Sequence, residues 1–185
     1  VTVPLERRRS VRRLVSSYAE RVPLSIERNR SPEMTDRVSE LVASGGYDAV
    51  FVDGWLMAQY VPDAFAGLRL LHEHNAEHVM WRRHTELETH ALRRSLVRVE
   101  ARRVRRYEAG LLPRFDVVFA VSGRDREALA TLAPEGPEIA LLPNVADPAL
   151  LERPELSPPA DPVLLFLGTL SWPPKRAAAR AIWES

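Results

Sequence analysis

Five short apolar runs constrain this chain most: "DAVFVDG", "LRLLHEH", "FDVVFAVS", "EIALLPN" and "PVLLFLG". Their apolar residues are consecutive rather than alternating, and stretches with helical patterning separate them. A strand that is apolar throughout needs cover on both faces, and a parallel sheet with helices on both faces supplies it. The predicted fold is therefore α/β, a Rossmann-like parallel sheet.

The intervening segments carry their own start and stop signals. "ERRRSVRRLVSSYAERVP" places Val11, Leu14, Val15 and Tyr18 on one helical face and closes at Pro23. "LSIER" reads as a short extended piece. In "SPEMTDRVSELVASGG", Ser31 is an N-cap, Pro32 opens the helix, and Gly45-Gly46 ends it. "WLMAQYVPDAF" reads as a short helix broken near Pro62, and one long helical region runs from about Glu86 to Leu112, ending at Pro113. "GRDREALATLA" and "PPKRAAARAIWES" complete the helical set.

The proline-rich stretch "VADPALLERPELSPPAD" is the expected linker. It divides the chain into residues 1–146, a first α/β domain with an incomplete N-terminus, the linker 147–161, and residues 162–185, the truncated start of a second such domain. The first residue is Val1, and the chain stops inside a helical pattern without a cap signal, so a piece of a longer protein is expected.

Composition excludes several classes of function. With no cysteine, disulfides, thiolate metal sites and cysteine nucleophiles are ruled out. No apolar run reaches the roughly 18 residues that span a bilayer, and a signal-peptide pattern is missing. A cytoplasmic protein is the expectation. Of the 26 basic residues only Lys175 is lysine, which coding bias explains more simply than function does.

Four of the five histidines fall in "LLHEHNAEHVMWRRH", which includes an H-x-x-E-H match at His74, Glu77 and His78. A zinc site of that type needs both histidines at helical spacing, and His74 lies just past a strand-like run, where helical geometry is not expected. His72-x-His74 can chelate from one strand face, but the sequence offers no third ligand. No metal is assigned on these grounds. Position gives a stronger signal, because ligands of open parallel sheets bind beyond the carboxyl ends of the strands. Asp53-Gly54, His74-Asn75, Ser122-Gly123, Asn144 and Gly168-Thr169 all occupy such ends. Ser122 with Asp125 is also a helix-capping pattern.

"RRSLVRVEARRVRRYE" carries seven arginines. Val97, Ala101, Val104 and Leu111 share a helical face, so the arginines coat the others. A net charge of +1 and the lack of a nucleic-acid motif argue against a nucleic-acid partner. The competing readings are a solvated helix and contact with an anionic membrane through Arg102, Arg103, Arg105 and Arg106. A non-catalytic docking module using the basic helix 93–106 is the alternative to an enzyme. Glu108 falls on the apolar stripe and needs a partner there.

The ordered segments "YDAVFVDGWLMAQYVP", "HEHNAEHVMWRR", "EARRVRRYEAGLLPRFDVVFAVSGRDREAL", "LLPNVADP" and "LLFLGTLSWPPKRAA" resemble GT-B-fold retaining glycosyltransferases of family 4, in the bacterial polysaccharide-associated branch. The likeness extends over about residues 20–185. It implies two Rossmann-like domains facing a cleft, the first binding a glycan or lipid-linked acceptor and the second a nucleotide-diphosphate sugar, with no further cofactor. It implies a hexosyltransferase-type reaction in polysaccharide or glycoconjugate synthesis, at the inner face of the membrane. By position His74 becomes the catalytic candidate, orienting a sugar hydroxyl. Asp53, Gly54, Asn75, Glu77, Arg83, Ser122 and Asn144 line the acceptor cleft, while Gly168, Thr169 and Lys175 stand near the donor phosphates. Three departures accompany the likeness. Lys175 stands where Asn is common, Val145 follows Asn144 where Gly is usual, and the donor-gripping E-x7-E pair lies outside the chain. Transfer by the isolated chain is not expected.

Overall fold

The structure is a computed structural model that describes residues 10–150, 152, 161, 163–170 and 173–184. Four strands, β1 (Ala49–Asp53), β2 (Leu68–Glu73), β3 (Val117–Ala120) and β4 (Glu138–Leu141), form one sheet in the order β1-β2-β3-β4. Every neighbouring pair is parallel, with Asp53 opposite His72, His72 opposite Phe119 and Phe119 opposite Ala140. The chain is thus α/β with a Rossmann-like parallel sheet flanked by helices, as the apolar runs predict.

Helices α1 (Val11–Ala19), α2 (Leu24–Arg28) and α3 (Pro32–Ala43) precede the sheet. Helices α4 (Glu77–Leu87) and α5 (Ala91–Leu111) connect β2 to β3, and α6 (Gly123–Leu132) connects β3 to β4. The β1–β2 connection has only a 3-10 turn at Ala58–Tyr60. One row of strand side chains, Val52, Leu71 and Val118, packs with Val104, Leu111 and Leu112 of the α5 end and Leu129 of α6. Full burial of a Leu or Val side chain stabilises by about 1.5–3 kcal/mol, so this row is what holds sheet and helices together. The opposite face carries Phe51 and Leu68, which remain 51% and 56% exposed.

Local signals determine α3. Ser31 Oγ accepts from Met34 N–H at 3.3 Å with Pro32 at the first position, and Gly45 and Gly46 take φ of 79° and 89° to end it. Two other expectations need correcting. "LSIER" is helical, not extended, because Pro23 directs the chain into a turn and Glu100 Oε1 of α5 accepts from Leu24 N–H at 2.5 Å. That tertiary capping is invisible in five residues. The long helical region starts at Ala91 rather than Glu86, because residues 88–90 break the helix, with Glu88 extended and its carboxylate accepting from His90 N–H at 3.0 Å. A separate helix not expected from the sequence, α4, precedes the break. The interruption lets α4 turn back and pack on α5.

Contacts divide the chain into Val1–Asn144 and Val145–Ser185. In the second unit α7 (Pro173–Trp183) is present, but the expected buried strand "PVLLFLG" is not: among its described residues, 163–168, none is in a strand, and Val163, Leu164, Leu165 and Leu167 are 72–86% exposed. A strand needs a neighbour for its backbone hydrogen bonds, and no partner strand is found among the described residues of that unit. Much of the proline-rich linker 147–161 lies outside the described residues.

Candidate functional site

Because all four strands run parallel, their carboxyl ends share one edge of the sheet. Asp53, His72 and His74 meet there. The register sets Asp53 beside His72, and Gly54, at a φ of 90°, turns the chain away while its N–H donates to His72 O at 2.9 Å. His74 lies two residues on, so it projects to the same side as His72. Asp53 Oδ1 then lies 3.1 Å from His72 Nδ1 and 2.6 Å from His74 Nε2. The hydrogen bond from His74 holds the Asp53 carboxyl below its ordinary range, with His72 adding to the effect. After β4 the chain crosses the end of β3: Leu142 N–H donates to Ala120 O at 2.9 Å, and Leu142 O lies 3.2 Å from His72 Nε2.

A second, buried group lies next to the first along the chain. Helix α4 has no side-chain cap of its own. Glu108 of α5 supplies one, its two carboxylate oxygens accepting from Glu77 N–H at 2.8 Å and His78 N–H at 2.9 Å, with His78 Nδ1 at 2.6 Å. A carboxylate is well placed at a helix N-terminus, where unpaired N–H groups and the helix dipole favour negative charge. This is the partner that Glu108 requires on its apolar stripe. Glu77 is buried beside it, and burial first, then the Glu108 charge, push its carboxyl up to about 7 against an opposing hydrogen bond from Asn75. Glu73, pointing inward from β2, has both carboxylate oxygens buried without a hydrogen-bond partner. Burial, then Glu108 and Glu77, raise it well above the ordinary range, which favours its neutral form.

The expected site residues divide accordingly. Asp53, Gly54, His74 and Asn75 come together at the edge. Ser122 caps α6, accepting from Asp125 N–H at 3.2 Å, and Asp125 Oδ1 accepts from Ala76 N–H at 3.0 Å, tying the β2–α4 loop to α6. Asn144 is exposed beyond β4. Glu77 is turned to the interior and shapes the loop through Asn75 rather than presenting its carboxyl to a cleft. Arg83 is exposed on α4. Gly168, Thr169 and Lys175 belong to the other unit, where a Cβ at Gly168 would come within 3.1 Å of the Lys175 side chain.

The H-x-x-E-H match is divided between two partners, His74 on Asp53 and His78 on Glu108. Asp53 is the third group that sequence spacing does not supply to His72-x-His74. Pairing of β1 with β2 creates the trio, and the one available signal was that both apolar runs end in a metal-competent side chain.

Arg103 does not belong to a solvated or membrane-facing set. It is 9% exposed, donates to Ser17 O and Val22 O, pairs with Glu100 at 2.7 Å, and lies 4.2 Å from the Tyr18 ring centroid. Its guanidinium satisfies carbonyls at the end of α1, a job for a fork of fixed donors. Arg102, Arg105 and Arg106 are exposed. Among the described residues no helix is long and apolar enough to cross a membrane. Scanned against protein-family models and searched against curated proteins and solved structures, the chain gives no match.

Proposed function

We propose that the chain is the acceptor side, with the beginning of the donor side, of a retaining GT-B glycosyltransferase acting on a nucleotide-diphosphate sugar. The observation that carries the reading is the exposed Asp53–His74 pair at the carboxyl edge of a parallel sheet, where such folds bind ligands. In the reaction the acceptor hydroxyl oxygen bonds to the anomeric carbon, and the bond from that carbon to the diphosphate oxygen breaks with its electron pair going to that oxygen. The hydroxyl proton is given up to the leaving nucleoside diphosphate. His74 orients the hydroxyl, Asp53 holds the imidazole, and Asn75 fixes the loop through Glu77. Gly168, Thr169 and Lys175 are assigned to the donor phosphates by the family resemblance alone.

The test uses the chain joined to the remainder of its reading frame and a panel of nucleotide-diphosphate sugars, with nucleoside diphosphate release as the readout. Release with one donor, reduced about tenfold or more in His74→Ala, is the expected result, a loss typical of a positioned polar group. No release with any donor would count against transfer.

One observation favours a second, compatible role in membrane docking. The first half of α5 exposes Leu92 and Leu96 at 67% and 59%, next to exposed arginines. Apolar side chains interleaved with cations suit an anionic bilayer surface. Cosedimentation with vesicles containing anionic lipid should fall in Leu92→Ser/Leu96→Ser, and in Arg102→Gln/Arg105→Gln/Arg106→Gln. Unchanged binding in both would remove this role.

A further inference from the structure

We propose that Asp53, His72 and His74 form a binding site for a divalent first-row transition metal ion, with zinc as the simplest occupant. The inference goes beyond the glycosyl-transfer reading and does not require it; with an ion bound, Asp53 Oδ1 and His74 Nε2 hold the ion in place of their direct hydrogen bond. One carboxylate oxygen of Asp53 and one ring nitrogen of each histidine all lie within 4.8 Å of one another, and among the described residues this is the one such trio of metal-competent side chains. An ion bonded to His and Asp at about 2.0–2.2 Å sets its ligand atoms about 3–3.5 Å apart. The 3.1 Å from Asp53 to His72 already suits such a pair, and the 2.6 Å hydrogen bond from His74 to Asp53 must open for an ion to enter.

The hydrogen bonding of His72 is compatible with the same occupant. Its Nε2 lies 3.2 Å from Leu142 O, a carbonyl that can only accept, so Nε2 carries the proton. In a neutral imidazole Nδ1 then has a lone pair, and that lone pair faces Asp53 Oδ1 at 3.1 Å. Two lone pairs at that distance repel unless positive charge lies between them. Either a second proton, which makes His72 an imidazolium, or a metal ion supplies it, and a metal ion at that point also meets the second imidazole that already converges on Oδ1. A ligating histidine whose far nitrogen donates to a backbone carbonyl is the usual outer-shell arrangement, which fixes tautomer and ring orientation. The Phe51 ring, its centroid 6.1 Å from that of His72, adds an apolar wall on the neighbouring strand.

Two imidazoles and a carboxylate match the ligand preferences of zinc and its neighbours rather than magnesium or calcium, which prefer oxygen. Three protein ligands leave coordination positions for water or another oxygen ligand. The side chains of Asp53 and His74 are 66% and 49% exposed, so those positions open toward solvent.

The experiment titrates the whole 185-residue chain, stripped with chelator, with Co2+ while recording the visible d–d absorption, then displaces the cobalt with Zn2+. No sugar donor is present, so its outcome is separate from that of the transferase test. Saturation at one ion per chain is expected, with Asp53→Ala and His74→Ala each weakening Zn2+ by at least about tenfold. His84→Ala and His90→Ala, on exposed residues outside the trio, should bind as the parent does. Circular dichroism of every variant confirms that the fold persists. Lack of saturable binding would overturn the proposal. So would binding that survives both Asp53→Ala and His74→Ala, or binding lost instead with His84 or His90.

Discussion

Glu108 has no exposure to solvent and three hydrogen-bond donors aimed at it, two of them the first N–H groups of α4. Truncating it leaves those donors buried without an acceptor, a far larger loss than a surface ion pair entails. Glu108→Ala should therefore lower stability by about 3 kcal/mol, read as a shift of the urea midpoint at unchanged slope. Glu77 makes a prediction of opposite character. Its carboxyl titrates near 7 in the fold and near 4.5 when unfolded, so between those values the native state holds the proton that the unfolded state has released. The contribution is fully present below about pH 4.5 and is lost as pH rises to about 7. Urea midpoints at pH 5 and pH 7.5 should show a fall for the parent chain and a smaller fall for Glu77→Gln. Glu73, shifted in the same direction, contributes to what remains.

At the scale of elements, capping separates those that stand on local sequence from those that depend on neighbours. α3 begins with its own cap, so Ser31→Ala should cost about 1 kcal/mol in stability, measured by urea denaturation, and leave the sheet edge unaltered. α2 and α4 take their caps from α5, through Glu100 and Glu108. Arg103 does the same for the carbonyls of Ser17 and Val22. Loss of α5 side chains on this inner face should consequently disturb α1, α2 and α4 together. Arg103→Ala, compared with Arg102→Ala on the exposed face, should give the larger drop in urea midpoint.

For the whole molecule, every described residue of the hydrophobic core lies between Val22 and Ile139, inside the first of the two compact units. A chain of residues 10–144 should unfold cooperatively, with a urea midpoint close to that of the full chain. A large decrease would show that residues beyond Asn144 contribute to that core.

The sequence by itself determined the α/β class, all four strands of the sheet, the capping of α3 and α6 and the buried stripe of α5. These follow from local chemistry: consecutive apolar side chains, a serine ahead of a helix, and glycines where φ must be positive. It also located the carboxyl-edge residues, since strand ends can be read where an apolar run stops. Only the tertiary structure decided which of those residues meet. The pairing of β1 with β2 brings Asp53 to His72 and His74 across about 20 residues of chain, and α5 reaches back to cap α4, α2 and α1. Register and long-range capping join residues that no periodicity links. The same rule explains the misreading of "PVLLFLG": an apolar run is a strand only when another strand completes its hydrogen bonds, and that partner is a property of the fold rather than of the run.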